Sequence, residues 1–269
     1  MALLTPRAFL DGKRATADEL APLVFAGNAH FTAMQVSGGA VRGLDLHLKR
    51  LREASDELFG AHISDDRLHA LLAAAIDDEG RDSSLSLFVF PGTDHAELRV
   101  LIRISSLADL TVTPVRLKTF EHERFLARFK HVGEIAKSYF KSLAQRDGFD
   151  DAAFVDSQGR LSEASIWNLA FWDGETVLWP EADVLPGVTL QILRRQLEAA
   201  GIPQTIRPLR ADDLGSSLTG VVMNSWTPAL RVSDIDGIRL GDGTEFAELL
   251  HRAYAAEPLT APDGVTAVD

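Results

Sequence analysis

Between Asp150 and Trp179 the chain cannot run as helix. The apolar runs Ala152–Val155, Ile166–Trp172 and Thr176–Trp179 are short, and Gly159 and Asp173-Gly174 cut them apart. Runs this short read as strands, and Asp-Gly between two of them is hairpin chemistry. The spacing predicts a helix before them, Gly133–Arg146, stopped by Gly148, and another after them, Thr189–Ala200, ended by Gly201 and Pro203. Gln204–Ile206, Gly220–Met223 and Ala229–Ile235 read as further strands, and Glu245–Ala255 as a last helix. The tail from Ala256, rich in Pro, Ala, Asp and Thr, is expected to fray.

The first part of the chain has its own pattern. An early strand runs through Ala33–Val36. Asp45 is placed to cap a helix with Leu48, Leu51, Ala54 and Leu58 at helical spacing, stopped by Gly60. Asp65 is placed to cap a second, with Leu68, Leu71, Leu72, Ala75 and Ile76 on one face, stopped near Gly80. Strands Ser84–Phe90 and Glu97–Ile104 flank the turn Pro91-Gly92-Thr93-Asp94. Leu110–Phe120 is the passage onward. We expect an α+β protein of two domains, residues 1–112 and 113–269, the second carrying Lys130.

Composition excludes several functions. A net charge of −12 argues against nucleic acid, which needs a basic face. Without cysteine there is neither disulfide nor thiolate chemistry, which suits a cytoplasmic protein. Met1–Leu20 has no apolar core of signal-peptide length, and no run reaches the roughly 18–20 residues of a membrane helix. The histidines show no metal-ligand spacing, so no metal is expected.

Lys130 stands in Arg128-Phe129-Lys130-His131-Val132-Gly133, and Glu163 follows 33 residues later in Leu161-Ser162-Glu163-Ala164-Ser165-Ile166-Trp167-Asn168. Leu185-Pro186-Gly187-Val188-Thr189 then opens a helix, and helix N-terminal amides bind anions. An ammonium, a carboxylate and an anion-binding turn are what pyridoxal phosphate (PLP) chemistry needs. The lysine forms the Schiff base, the carboxylate faces the ring nitrogen, and the turn holds the phosphate. Lys137 and Lys141 are rival lysines, but their helical positions fit a solvated face. Trp226 reads equally as core or as pocket wall.

In this order the motifs resemble the class IV aminotransferases, the PLP enzymes of fold-type IV, from about Phe25 to about Gly237. Asp45-Leu46-His47-Leu48-Lys49-Arg50-Leu51 looks like the family's His-x-x-Arg-Leu helix. Gly148 to Asp156 looks like its strand after the lysine helix, and Glu163 to Asn168 like its Glu-x-Ser-x-x-Asn segment. The resemblance implies a D-amino-acid-aminotransferase-like fold with the cofactor at the domain interface, and a homodimer. It implies Lys130 as the catalytic lysine and Glu163 as the pyridine-nitrogen partner. Arg50, Val188, Thr189 and Ser225 would be phosphate ligands, and Asn168 a backbone tie near the cofactor.

Phe31 and Thr32 would face an amino-acid or 2-oxo-acid substrate, with Arg128 and Trp226 beside them. Arg124, Arg128 and His30 are candidates for the substrate carboxylate, which favours a bidentate cation. The chain departs from the family near the substrate. Ala26-Gly27-Asn28-Ala29-His30 stands where Gly-Asp-Gly is common, and Leu190 and Leu85 stand where arginines are common. Transamination is the expected reaction. Elimination of pyruvate, as by 4-amino-4-deoxychorismate lyase, and PLP binding without turnover are the alternatives.

Overall fold

The computed structural model describes residues 6–79, 81–92, 97–107 and 113–262. The expected stop at Gly80, the Thr93-Asp94 half of the first turn and the start of the passage at Leu110 lie outside them. The chain divides into two compact units. One is Met1–Asp109 with Phe129–Gly133 and Pro258–Asp269; the other is Leu110–Arg128 with Glu134–Glu257. The Lys130 segment thus clusters with the first unit, whereas the sequence reading put it in the second.

The first unit contains β1 (Arg7–Leu10), β2 (Lys13–Arg14), α1 (Ala17–Ala26), β3 (His30–Ser37), β4 (Ala40–Arg42), α2 (Leu44–Phe59), α3 (Asp65–Glu79), β5 (Ser83–Pro91), β6 (Leu98–Ser105) and, from the end of the chain, β16 (Leu259–Thr260). They make a seven-stranded sheet in the order β16-β4-β3-β5-β6-β1-β2. Strand alternation gives each strand two faces. Met34, Val36, Leu85, Leu87, Ile102 and Ile104 meet Leu48, Leu51, Leu68 and Leu72 of α2 and α3 in one core. Ala29, Phe90 and Leu101 form a smaller cluster with Leu20 and Leu23 of α1.

Two expected caps shift. The N-cap of α2 is Gly43, in the left-handed region at φ 65°, so Asp45 lies inside the first turn. Ser64 takes the capping place ahead of Asp65, its Oγ accepting from Arg67 N–H at 3.4 Å. Of the tail expected to fray, Leu259 and Thr260 instead join the sheet, pairing with Arg42 and Val41, and residues 263–269 lie outside the described residues.

The second unit contains β7 (Val115–Glu121), α4 (Ile135–Arg146), β8 (Asp151–Val155), β9 (Leu161–Ala164), β10 (Asn168–Trp172), β11 (Val177–Pro180), α5 (Val188–Ala199), β12 (Gln204–Arg207), β13 (Thr219–Met223), β14 (Leu230–Ile235), β15 (Ile238–Arg239) and α6 (Thr244–Ala255). The sheet order β10-β13-β14-β7-β8-β9 closes on itself, because β9 also pairs with β10. The result is a barrel-like ring with β11 and β12 extending from it. Leu169, Phe171, Val222 and Val232 fill one core. Their strand neighbours Ala170, Val221 and Met223 pack against α5 and α6. Ala144 of α4 packs with Ala152 and Phe154 of β8. Among the described residues no helix is long and apolar enough to cross a membrane.

Candidate active site

Lys130 is held by backbone bonds to the start of β3. Phe31 N–H donates to the Lys130 carbonyl at 2.8 Å, and Val132 N–H donates to the Ala29 carbonyl at 3.0 Å. Phe129 is buried beside them. These bonds are why the segment belongs to the first unit. Lys130 Nζ lies 4.8 Å from the centroid of the Phe31 ring, a cation–π distance, and Phe31 stacks on Phe88 at 5.0 Å. Phe31 is therefore a wall beside the lysine.

Thr32 is not beside it. The pleat turns Thr32 to the other face, where it is fully buried, its Oγ1 2.6 Å from His47 Nδ1. Phe31 and Thr32 cannot share a surface, and the alternation selects Ala33 as the partner of Phe31. His30 is also turned inward, its Nε2 2.8 Å from Ser55 Oγ and its ring stacked on Phe59. Burial pushes His30 down to about 4 and His47 down to about 3, so both rings are neutral near pH 7. A neutral, enclosed His30 is no carboxylate binder. Arg50 lies on the buried side of α2 at 8% exposure, not on its solvated face.

In the second unit the ring closure sets the geometry. Glu163 of β9 pairs with Asn168 of β10, and Asn168 pairs with Met223 at the end of β13. Three loops therefore meet at one end of the sheet. Asn168 Nδ2 donates to the Leu185 carbonyl at 2.8 Å, and Leu185 N–H donates to Glu163 Oε2 at 3.4 Å. These two bonds fix the turn that opens α5. Gly187 is its N-cap, without a side-chain capping bond, and Val188 and Thr189 are buried in the first turn. A Cβ at Gly187 would stand 2.0 Å from Asn168 Oδ1, so only glycine fits. After β13, Asn224 Oδ1 accepts from Trp226 N–H at 2.9 Å and from Thr227 N–H at 3.0 Å. That turn presents Ser225 half-buried and leaves Trp226 38% exposed, on the surface and outside the core.

Glu163 is 5% exposed and has a cationic neighbour that sequence reasoning gave another task. Arg124 Nη1 lies 3.6 Å from Glu163 Oε1, and Arg124 Nε lies 3.4 Å from Glu134 Oε2. The Arg124 side chain is 3% exposed and engaged with these two carboxylates, so it is no surface binder of a substrate carboxylate. Lys137 is likewise not on a solvated face. Its Nζ lies 3.8 Å from Glu134 Oε2 with the side chain 16% exposed. Burial lowers its pKa, as does the Arg124 charge, against Glu163 and Glu134, which raise it. Arg128 is exposed. Glu134 and the Leu185 amide escaped sequence reasoning, because neither residue type nor spacing marks them.

Comparison with known proteins identifies the family and the fold. Residues 29–235 match the family described as Amino-transferase class IV. A probable branched-chain-amino-acid aminotransferase of Synechocystis is 29% identical over 133 residues, 46% of this chain. The match spans only 43% of that relative, less than half its length. A hypothetical aminotransferase from Mycobacterium tuberculosis, in PLP-bound form, superposes with a TM-score of 0.81 at 21% identity, covering 94% of this chain and 98% of that one. The branched-chain amino acid aminotransferase of Escherichia coli superposes with a TM-score of 0.80 at 16% identity, covering 93% and 92%. These structures share the fold-type IV architecture. This chain belongs to the class IV aminotransferases, a PLP-dependent family.

Proposed function

We propose that the protein is a PLP-dependent aminotransferase that moves an amino group from an amino acid to a 2-oxo acid, with branched-chain amino acids as the first donors to test. One observation carries the reading. The buried carboxylate of Glu163 and the glycine turn opening α5 are built as one piece, joined by Leu185 and Asn168. A ring nitrogen and a phosphate on one cofactor require that joined pair. The bare first-turn amides of α5, the Thr189 hydroxyl and a Gly187 that tolerates no Cβ fit a phosphate. When bound, PLP supplies an aldehyde for the amino group and a ring that withdraws electrons from the donor's α-carbon.

The chain's residues do the rest. Lys130 would hold the cofactor covalently, and its freed amine would be the base that takes the proton from the donor's α-carbon. Glu163 keeps the ring nitrogen protonated. Val188, Thr189 and Ser225 bind the phosphate, and Arg50 supplies its countercharge. Phe31 and Trp226 wall the substrate, with Arg128 for its carboxylate. Exposed Phe125, Ile135 and Tyr139 of the second unit suit burial in a homodimer.

Borohydride reduction after adding PLP is expected to fix the cofactor on the Lys130 peptide, read by mass. The visible band should bleach with an amino donor and return with a 2-oxo acid. Lys130→Ala should abolish both. Pyruvate release without any acceptor would replace transamination by the lyase reading.

A further inference from the structure

We propose that Arg124 is the positioning residue that keeps Glu163 ionised and aimed, so that the cofactor-binding carboxylate arrives with its own buried counterion. The inference rests on the reading of Glu163 as the ring-nitrogen partner. Three observations carry it. Glu163 is 5% exposed, and an isolated carboxylate at such depth would take up a proton rather than stay charged. A neutral acid cannot hold a proton on a pyridine nitrogen. Arg124 supplies the missing charge, with Nη1 3.6 Å from Oε1, while Leu185 N–H fixes Oε2.

The guanidinium is itself fixed. Its Nε lies 3.4 Å from Glu134, which also faces Lys137 at 3.8 Å. Each carboxylate thus faces a cation, so the cluster can stay charged inside the protein. Arg124 also donates to the Ala127 carbonyl at 3.4 Å, bracing the loop that leads toward Lys130. Lysine would carry the charge but not the fork that reaches both carboxylates.

The test is a double-mutant cycle on the PLP holoprotein and on the apoprotein. Arg124→Gln, Glu163→Gln and the pair are compared by PLP dissociation constant, by position and pH response of the visible band, and by apoprotein melting. Arg124→Gln is expected to weaken PLP about 10–100-fold, through loss of the ion pair behind Glu163, and to shift the visible band. Arg124→Lys should recover part of both. In the Glu163→Gln background Arg124→Gln should cost little more, because its effect runs through Glu163.

Equal costs in both backgrounds, or an unmoved band, would overturn the proposal and leave Arg124 a structural residue. Should Arg124→Gln not fold, the cycle is run with Arg124→Lys, which keeps the charge and loses the fork. Failure of the underlying reading looks different, since the wild-type protein would then show no borohydride-fixed PLP at Lys130.

Discussion

Beneath α2 the first unit buries two neutral polar pairs, His30 with Ser55 and Thr32 with His47. Around Glu163 the second unit encloses a cluster of charges, in which Arg124 and Lys137 face Glu134 and Glu163. A neutral pair is inexpensive to bury once hydrogen-bonded, and its solution is to stay uncharged. A charged set is costly to bury and is retained only where partners surround it. The neutral pairs serve packing beneath α2. Under the proposed function, the charged set surrounds the carboxylate that faces the ring nitrogen. The same burial thus has opposite sensitivities: the first unit is vulnerable to protonation, the second to loss of one partner.

The largest expected effect breaks the charged set. Glu134→Leu leaves Arg124 and Lys137 sharing one carboxylate, and should cost about 3–5 kcal/mol in denaturant unfolding. A cost below about 1 kcal/mol would mean the four charges are solvated in practice and the contrast is false. Next comes acid. In the unfolded chain both histidines take a proton below about 6.5. Folded, His30 does so only near about 4 and His47 near about 3. The unfolded state therefore binds more protons as pH falls through that window, and stability is lost from about 6.5 downward, on the order of 3 kcal/mol from His30 alone. Unfolding curves at pH 7 and pH 4.5 measure it, and His30→Phe should flatten the dependence. A slope unchanged by His30→Phe would assign the acid sensitivity elsewhere. Thr32→Val keeps the shape and removes the hydroxyl facing His47, for a cost on the order of 1 kcal/mol.

Much of this fold was legible because local chemistry agreed with tertiary structure. α5, β13 and β14 fall where apolar periodicity and glycine placed them, within a residue or two. What stayed hidden depends on long-range pairing. β9 is four residues long and half polar, yet its pairing with β10 closes the ring. β16 lies in a polar tail and is a strand only because β4 offers an edge. The site divides in the same way. Residue types and spacing singled out Lys130, Glu163 and the Gly187 turn as candidates. They did not mark which of two adjacent strand residues faces the lysine, nor that Arg124 and Lys137 are buried. Burial is a property of the neighbours.

The smallest expected effect separates those cases on a single helix. Lys49 and Arg50 are adjacent cations of α2. Successive helix residues point about 100° apart. Arg50 is 8% exposed, while the Lys49 side chain is 56% exposed and meets Glu53 at 3.8 Å. An exposed i,i+4 pair contributes about 0.3–0.5 kcal/mol at best, and lysine ahead of glutamate is the weaker order. Lys49→Ala should therefore change unfolding by less than about 0.5 kcal/mol, offset by the better helix propensity of alanine. Arg50→Ala should weaken PLP binding, because under the proposed function it supplies the phosphate's countercharge. If Lys49→Ala weakened PLP and Arg50→Ala did not, α2 would be rotated by one residue from the structure described here. The neutral interior beneath it, from His47 to Ser55, would then have to be drawn again.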